Sequence, residues 1–482
     1  MADFLEKAQA EAAEIDTDLL WEVCGEAEFS ATAIAEDYFG HAPSQIELAA
    51  TLMALYGAPM YFYKKAKGVF KAAPEETLKQ ALAAIERKKQ QDAQIEAWAA
   101  ELQQGGLPAE ISADLKTILH APDKQALTYK AFTKAADAMK LSPLALAQQS
   151  GGVASIPQYL RDGFEMKYFP RGIAFADLPV PALADLPRAE VEAFSIDDDA
   201  TTEVDDALSL TDLAGGGKRV GIHIAAPALA IAPGSDMEKT IAERQSTVYF
   251  PGDKITMLPE NWIAAFSLDA GGYRPAVSIY FDVDADFNVS APGCKIEAVN
   301  IVENLRIQAI EPHFNAQSGL DAEGAALFAH HRDLIWFYQL AIARQKARGK
   351  YEPERAAQYD YSIELASDGL VSVARRERGS PIDTLVSEMM ILANSTWAQM
   401  LDQVGLPGLF RVQPAGKVRM STQSEPHIGM GVQHYGWFTS PLRRAADYIN
   451  QKQIISLIDP QAAPLYQKND ADLFAALRDF DT

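Results

Sequence analysis

Hydrophobic and polar positions in the first third of the chain follow the period of amphipathic helices. Ala- and Glu-rich patterning at 4–38 and 43–56 predicts short helices, and 75–104 predicts a longer polar one. Between the first two segments, residues 40–44 have the composition of a turn and a helix start, with Ser44 or His41 near the cap. The first hundred residues are therefore expected to be mostly helical.

A basic and aromatic segment follows these helices at 61–71. It contains Tyr61, Phe62, Tyr63, Lys64, Lys65, Lys67, Phe70 and Lys71, and no acid. Helix, turn, helix and basic hairpin is the layout of a winged helix, so we predict a winged helix-turn-helix domain at 1–105. Its Lys64, Lys65 and Lys67 are expected to contact the phosphates of a nucleic acid. The alternative is an ordinary helical bundle with a solvated lysine loop.

The pattern changes in the second part of the chain. Residues 106–190 predict a helical connector that closes with a Pro-rich linker at 178–187. Beyond it, 220–224 and 276–283 read as strands, whereas 380–404 has a helical period between Ser380-Pro381 and Gly405. The fold class is thus multidomain, with a mostly α N-terminal part, the connector, and a large mixed α/β domain at 191–482.

Composition narrows the function classes. A formal net charge of −23 argues against a protein that coats nucleic acid indiscriminately, although it permits a local basic channel. The two cysteines, Cys24 and Cys294, support neither a disulfide framework nor a zinc site. No apolar stretch approaches the ~20 residues that span a bilayer. We expect a cytoplasmic monomer with no membrane attachment and no stable protein partner.

An acidic run at 197–206 carries the strongest chemical signal. Its six carboxylates are Asp197, Asp198, Asp199, Glu203, Asp205 and Asp206. Such crowded charges repel unless they are neutralised, and about two divalent ions roughly 3.5–4 Å apart would neutralise them and activate water. Carboxylate oxygens favour Mg²⁺, with Mn²⁺ as the alternative ion. The other interpretation of the run is a solvated acidic loop.

A second signal lies far along the chain at 438–447. Arg443 and Arg444 follow Ser440-Pro441, which we interpret as a helix start, and adjacent arginines can present a guanidinium fork to a phosphate. Either arginine could equally form a surface ion pair.

Together these two segments resemble the RNB catalytic domain of the ribonuclease II and ribonuclease R family, from about Phe194 to Ile454. Further blocks in the family's order lie at 242–251, at 257–260 with 267–268 and Arg274, at 387–394, at 409–412, and at 421–423 with 426–427. The resemblance implies Mg²⁺-dependent 3′→5′ hydrolysis of single-stranded RNA to 5′-nucleoside monophosphates.

The resemblance also implies roles for individual residues. It puts the metal ligands at Asp197, Glu203, Asp205 and Asp206. It puts catalysis at Asp206, Arg443 and Glu388, with Arg443 stabilising charge on the attacked phosphate. It puts RNA contacts at Arg443, Arg444, Tyr249 and Arg244.

The chain departs from the family pattern at two positions. Glu203 stands where the family usually has Asp, so altered metal geometry or preference is expected. Ile307 stands where the family often has a tyrosine that fixes the terminal nucleotide, which puts the product length in doubt. Only 35 residues follow Asp447, so we expect no C-terminal OB-fold in this chain, and no cold-shock-like barrel pattern precedes the RNB block.

Two other functions stay open. One is a regulatory nucleic-acid-binding protein with a degenerate RNB scaffold, against which the retention of Asp197, Asp205, Asp206 and Arg443 speaks. The other is a metal-dependent phosphodiesterase acting on DNA or small nucleotides. The selection of RNA rests on contacts to the 2′-hydroxyl, which motifs do not reveal.

Overall fold

The chain forms two compact units in the computed structural model, at residues 1–172 and 173–482. The structure describes residues 2–290, 292–354, 356–366 and 370–481. No helix in those ranges is long and apolar enough to cross a membrane.

The first unit is mostly helical. Its elements are α1 (Ala2–Glu14), α2 (Thr17–Glu22), β1 (Glu28–Ser30), α3 (Ala31–Phe39), α4 (Gln45–Gly57), β2 (Phe62–Ala66), β3 (Val69–Ala72), α5 (Glu75–Gln103), α6 (Ala109–His120), α7 (Leu127–Met139), α8 (Pro143–Gln149) and α9 (Ile156–Tyr168). The buried side chains of these elements form two separate hydrophobic cores. One lies within the first 72 residues, and the other is formed by the helices from α5 to α9.

The first core lies between α1 to α4 and a small antiparallel sheet of order β1-β3-β2. The prediction of a cap at Ser44 is confirmed, because its side chain and that of Glu47 form a reciprocal capping box at the start of α4. The helical pattern predicted at 4–38 holds α1, α2 and α3, but the short strand β1 interrupts it and pairs Phe29 with Phe70. The β2–β3 hairpin leaves residues 63–67 exposed.

The second unit alternates strands with helices. Its strands are β4 (Arg188–Asp197), β5 (Asp206–Asp212), β6 (Lys218–Ala225), β7 (Val248–Phe250), β8 (Asp253–Ile255), β9 (Gly272–Val283), β10 (Gly293–Arg306), β11 (Tyr359–Leu365), β12 (Val371–Glu377), β13 (Phe410–Val412) and β14 (Arg419–Ser421). Its helices are α10 (Asp236–Arg244), α11 (Glu260–Phe266), α12 (Ile307–Ile310), α13 (His331–Ala347), α14 (Pro381–Val404), α15 (Ala445–Ile458) and α16 (Ala471–Asp481).

A closed five-stranded barrel of order β10-β4-β5-β6-β9 organises this unit. Strands β10 and β4 run parallel and the other neighbours antiparallel. The predicted strands at 220–224 and 276–283 are confirmed as parts of β6 and β9. The turn between β5 and β6 needs glycine, because Gly217 has φ +83° and a Cβ there would lie 2.4 Å from the carbonyl oxygen of Val283.

Helices α14 and α15 pack against the barrel in one hydrophobic core. The predicted start and end of α14 are confirmed, with a capping box at Ser380 and a left-handed Gly405. From α15, the buried Gln451 donates to the Ala225 carbonyl at 2.8 Å and accepts from the Ala228 N–H at 3.3 Å. These bonds join the α15 helix to the end of β6.

A separate two-stranded ribbon is formed by β11 and β12. Arg376 anchors it, since its guanidinium pairs with Glu311 and with Asp383 of α14. Residues Tyr361, Ile363, Val371 and Val373 share the outer face of the ribbon, and each is more than half exposed. The ribbon therefore projects from the unit with an apolar face in solvent.

Candidate active site

The acidic run is positioned by three neighbouring barrel strands. Strand β4 ends at Asp197 and β5 begins at Asp206, so residues 198–205 form the loop between two adjacent strands. On the other side of β4, Arg306 ends β10 directly opposite Asp197. The acids therefore lie at one end of the barrel.

Polar side chains from these strands fix the Asp197 carboxylate. Ser195 Oγ donates to Asp197 Oδ2 at 2.6 Å, and Asn304 Nδ2 donates to Ser195 Oγ at 2.8 Å. Asn304 also donates to the Leu268 carbonyl at 3.0 Å. These hydrogen bonds leave Asp197 Oδ1 as the carboxylate oxygen available to a ligand.

Two residues where β10 ends and α12 begins hold the exposed part of the acidic loop. Arg306 donates to the Asp198 carbonyl at 3.0 Å, and Gln308 donates to Asp198 Oδ1 at 3.2 Å while accepting from the Asp199 N–H at 3.0 Å. Asp198 and Asp199 are exposed. Asp198 thus supports the conformation of the loop through its carboxylate and its carbonyl, and Asp199 does so through its backbone N–H.

Asp205 is buried and bound at both oxygens by the segment around Arg443. The Leu442 N–H donates to Asp205 Oδ1 at 2.9 Å, and Arg443 Nε donates to Asp205 Oδ2 at 2.8 Å. Loss of hydration raises the pKa of Asp205 to about 7, against the opposing effect of the Arg443 charge. Asp205 consequently orients Arg443, whose side chain stays 43% exposed.

Asp206 lies close enough to Asp197 and Asp205 for their charges to act on its carboxyl group. Loss of hydration, followed by the charges of Asp197 and Asp205, raises the pKa of Asp206 to about 8. Loss of hydration also raises the pKa of Asp197. Two neighbouring carboxylates that resist ionisation together are stabilised by a cation bound beside them.

The donor set fits a hard divalent cation. Mg²⁺ is typically held by one or two carboxylates, with water and substrate phosphate oxygens completing its shell. Asp197 and Asp206 supply two such carboxylates. Among the residues that the structure describes, no three His, Cys, Asp or Glu side chains converge into a ready-made metal-binding group. The reason is that the Asp205 carboxylate binds Arg443 and the Glu203 carboxylate binds Lys254.

Glu203 pairs with Lys254 of β8. Its side chain is buried, Oε2 accepts from Lys254 Nζ, and Oε1 has no hydrogen-bond partner in the part of the chain that the structure describes. Lys254 Nζ also donates to Thr202 Oγ1 at 2.5 Å. The predicted metal role of Glu203 stays a prediction, because its one paired oxygen contacts a lysine.

Tyr249 of β7 lies beside the same cluster. Loss of hydration and the charge of Glu203 raise the pKa of its hydroxyl, while Arg443 opposes them. The side chain is 59% exposed. An exposed aromatic ring next to Arg443 is in position to contact a bound strand.

The turn at 440–444 differs from the helix start that we predicted. Helix α15 begins only at Ala445, with Arg444 as its N-cap. The Ser440 N–H donates to Asp447 Oδ1 at 2.8 Å, and Arg443 Nη2 donates to Ser440 Oγ at 3.1 Å. The helical prediction for Ser440-Pro441 is wrong because Asp205 and Asp447 draw the N–H groups of this segment into a turn.

Other predicted site residues contact protein groups. Arg444 pairs with Asp447 and stacks over Trp437 at 4.5 Å. Arg244 donates to the carbonyls of Thr256 and Ile173 and lies 3.7 Å from the Phe175 ring centroid.

Glu388 is buried in α14 and pairs with Arg348 of the segment after α13. Its pKa is raised by loss of hydration and lowered by Arg348, and the other charges that act on it come from α13. Lys64, Lys65 and Lys67 lie on the β2–β3 hairpin of the first unit. Their predicted roles, and that of Glu388, stay predictions.

Ile307, where a tyrosine was expected by family resemblance, begins the short helix α12 and packs half-buried against the hydrophobic core. The residues on either side of it, Arg306 and Gln308, hold the acidic loop.

Sequence reasoning did not identify the residues that support the acids. Ser195, Asn304, Arg306, Gln308 and Lys254 carry no motif of their own. A partial signal exists for two of them, because Asn304 and Arg306 both lie just before Ile307, the position at which the tyrosine was sought. Lys254 gave none, since nothing in its local sequence points to Glu203.

A family model for the RNB domain matches residues 187–420 and 415–460. Exoribonuclease 2 of Glaesserella parasuis is 26% identical over 339 residues, which cover 56% of this chain and 51% of that protein. A ribonuclease of Synechocystis described as uncharacterized is 27% identical over 312 residues, with 57% and 44% covered. The chain spans about half the length of the curated relatives it matches.

Solved structures share the fold. An active-site mutant of the Dss1 exoribonuclease from Candida glabrata superposes with a TM-score of 0.63 at 15% identity, covering 100% of this chain and 78% of that one. Mycoplasma genitalium RNase R in complex with ribose-methylated single-stranded RNA gives 0.56 at 15% identity, covering 67% and 61%. Since the RNB model spans more than half of the chain, the chain belongs to the RNB-domain family, the family of the ribonuclease II and ribonuclease R exoribonucleases.

Proposed function

We propose that this chain is a Mg²⁺-dependent exoribonuclease that hydrolyses single-stranded RNA from the 3′ end and releases 5′-nucleoside monophosphates. The observation that carries the proposal is the hydrogen-bonded ion pair of Arg443 with Asp205, in the loop between Asp197 at the end of β4 and Asp206 at the start of β5. An arginine next to a carboxylate pair provides a place for a phosphodiester between a positive group and a metal site.

In this proposal Asp197 and Asp206 hold Mg²⁺, with Asp205 and Glu203 completing the acidic set and Mn²⁺ as an alternative ion. A bound Mg²⁺ supplies an activated water and neutralises charge on the phosphate. The Arg443 guanidinium donates to the phosphate oxygens and stabilises their developing charge, and Asp205 keeps it aligned. Tyr249 stacks on a base or ribose near the scissile bond.

The first unit is proposed to add affinity for RNA. Two successive helices, α3 and α4, precede a hairpin in a sheet of order β1-β3-β2, which supports a winged helix. The exposed lysines of the hairpin suit phosphate contacts, and Tyr63 offers an exposed ring. The RNase R neighbour bound to single-stranded RNA supports RNA as the substrate class.

The test compares 5′-labelled RNA and DNA of one sequence, each incubated with Mg²⁺, Mn²⁺ or a chelator. We expect a ladder that shortens from the 3′ end of RNA only with a divalent ion. Equal cleavage of DNA would favour the phosphodiesterase alternative. Binding of RNA without cleavage under every metal condition would favour the regulatory one.

Asp206→Asn makes the test specific to the site. We expect it to reduce hydrolysis by at least 10³-fold while RNA affinity changes less than threefold, since it removes a ligand and leaves the strand's contacts. It should also raise the melting temperature, because it removes a carboxyl group whose ionised form is favoured in the unfolded chain and disfavoured in the fold. Asp212→Asn, at the exposed far end of β5, is the matched control and should retain the wild-type rate.

A further inference from the structure

The β7–β8 hairpin delivers a positive charge to the acidic site. Tyr249 and Lys254 are directly opposite each other in this hairpin, so their side chains leave the same face. From that face Lys254 reaches Glu203 and Thr202, and Tyr249 reaches the neighbourhood of Arg443. One short hairpin thus contacts both the acids and the arginine.

Glu203 is a buried carboxylate with one oxygen left without a partner, a state that it shares with Glu388 among the described residues. It is 3% exposed, one oxygen binds the Lys254 ammonium, and the other is buried without a hydrogen-bond partner among the described residues. A buried oxygen left in this state carries the cost of lost hydration with no compensating bond. Such an oxygen is ready to accept a further ligand.

The charges of the site can be counted. Asp197, Glu203, Asp205 and Asp206 bring four negative charges when ionised. Arg443 offsets one through Asp205, and Lys254 offsets one through Glu203. Two remain, on Asp197 and Asp206, and a single divalent cation matches them.

We propose that Lys254 is a positioning residue that occupies Glu203 in place of a divalent cation and so limits the acidic site to one divalent ion. Glu203 becomes a ligand only when Lys254 is released from it. This inference rests on the proposed function for the identity of the ion held by Asp197 and Asp206. It differs from the expectation of about two ions that the acidic run suggested.

The test counts Mn²⁺ ions bound per chain in the absence of RNA, by electron paramagnetic resonance of the free ion. Wild type is expected to bind one ion. Lys254→Met removes the ammonium and keeps much of the side-chain volume, so it should bind a second ion with at least tenfold higher affinity than any second ion in wild type. Lys239→Met, which removes an exposed surface lysine on α10, should behave as wild type. Equal second-ion affinity in Lys254→Met and wild type would overturn the proposal.

Two further variants cover the case in which Lys254→Met does not fold. Glu203→Gln should keep the single ion of wild type, because Glu203 does not hold it, and loss of that ion would overturn the proposal. The double variant Lys254→Met/Glu203→Gln removes both partners and should also bind one ion. A second ion in the double variant would show that Glu203 is not its ligand, which contradicts the proposal.

The same titration separates this inference from the proposed function. Asp206→Asn should lose the single wild-type ion. If it keeps that ion, the proposed metal site is wrong, whereas the gain of an ion in Lys254→Met still decides the role of Lys254. If Asp206→Asn loses the ion and Lys254→Met gains none, the metal site stands and the inference about Lys254 fails.

Discussion

Asp205 and Arg443 are 238 positions apart in the chain, yet their side chains meet at 2.8 Å in a hydrogen-bonded ion pair. The carboxylate is buried, whereas the Arg443 side chain as a whole is 43% exposed. The pair, together with the bond from Arg443 Nη2 to Ser440 Oγ, anchors the guanidinium at one side and leaves the exposed part of the side chain to face a ligand. The geometry matters more than the charge, because a lysine cannot make the same fork.

Arg443→Lys should accordingly lower kcat by about 10²- to 10³-fold, the loss typical of one transition-state hydrogen-bond donor. RNA affinity should change little, since the positive charge is retained. Single-turnover cleavage of labelled RNA at saturating enzyme measures the effect. Arg378→Lys, at a surface ion pair with Asp360, is the matched control. A rate near wild type in Arg443→Lys would remove this arginine from the chemical step.

Replacing Lys64, Lys65 and Lys67 together by glutamine should weaken RNA binding and leave single-turnover cleavage at saturating enzyme unchanged. If each lysine contacts one phosphate of a single strand, the slope of log affinity against log salt concentration should fall by roughly 2. Fluorescence anisotropy at several salt concentrations gives this slope.

The matched control for that experiment carries the same change at Lys79, Lys88 and Lys89. These residues lie on the exposed surface of α5 in the same unit. An identical salt slope in both triple variants would mean that only net charge matters. The hairpin would then have a role other than contacting RNA phosphates.

Gln245→Gly should stabilise the second unit by about 1 kcal/mol. Gln245 has φ +61° and ψ −46°, a conformation that costs a non-glycine residue of order 1–3 kcal/mol, offset in part by glycine's greater freedom in the unfolded chain. Its strained turn lets the Gln245 carbonyl accept from the Ala445 N–H at 2.7 Å. Gln339→Gly, in the exposed face of α13, should instead destabilise by about 1 kcal/mol. Urea denaturation of both variants checks the opposite signs.

The buried His223 should make the second unit less stable in acid. Its ring nitrogens bond Ser278 and Ser209 at 2.8 and 2.9 Å, and loss of hydration lowers its pKa to about 3. The unfolded chain takes up a proton near pH 6.5, which the folded state does not, so stability is complete above that pH and falls as pH drops towards 3. At pH 5 the loss should be about 2 kcal/mol, or 1.4 kcal/mol per pH unit.

His223→Gln cannot titrate, so it serves as the reference for that measurement. The difference in unfolding free energy between wild type and variant should narrow by about 2 kcal/mol from pH 7 to pH 5. Near-ultraviolet circular dichroism in urea reports it. A difference that stays constant with pH would show that His223 titrates alike in both states.

Local signals in the sequence predicted much of the fold. The capping residues Ser44 and Ser380 lie within four residues of their partners, so the local sequence is enough to predict those helix starts. Strand β1 escaped prediction because three residues are too few to show a period, and its pairing with β3 is about 40 residues away. Prediction succeeded where the determining contact was local in sequence.

The site follows the same division. The acidic run is contiguous and can be recognised in the sequence. The role of each of its carboxylates, however, depends on partner residues far along the chain. Arg443 pairs with Asp205. Lys254 pairs with Glu203, from which it is 51 positions away in the chain. Hydrophobic periodicity carries no information on such pairs, since each partner is a polar residue in a loop or a short strand. The turn at 440–444 was predicted wrongly for the same reason.

The ribbon of β11 and β12 has a consequence for handling the protein. Closure of the barrel pairs every one of its five strands on both sides, so the barrel offers no strand edge to another molecule. The ribbon has only two strands, and its outer face exposes Tyr361, Ile363 and Val373. Unpaired edges beside an apolar face are the usual starting point for strand-to-strand aggregation. Concentrated solutions of this chain should therefore precipitate through the ribbon, and a lysine in place of Ile363 or Val373 should raise the concentration at which they do.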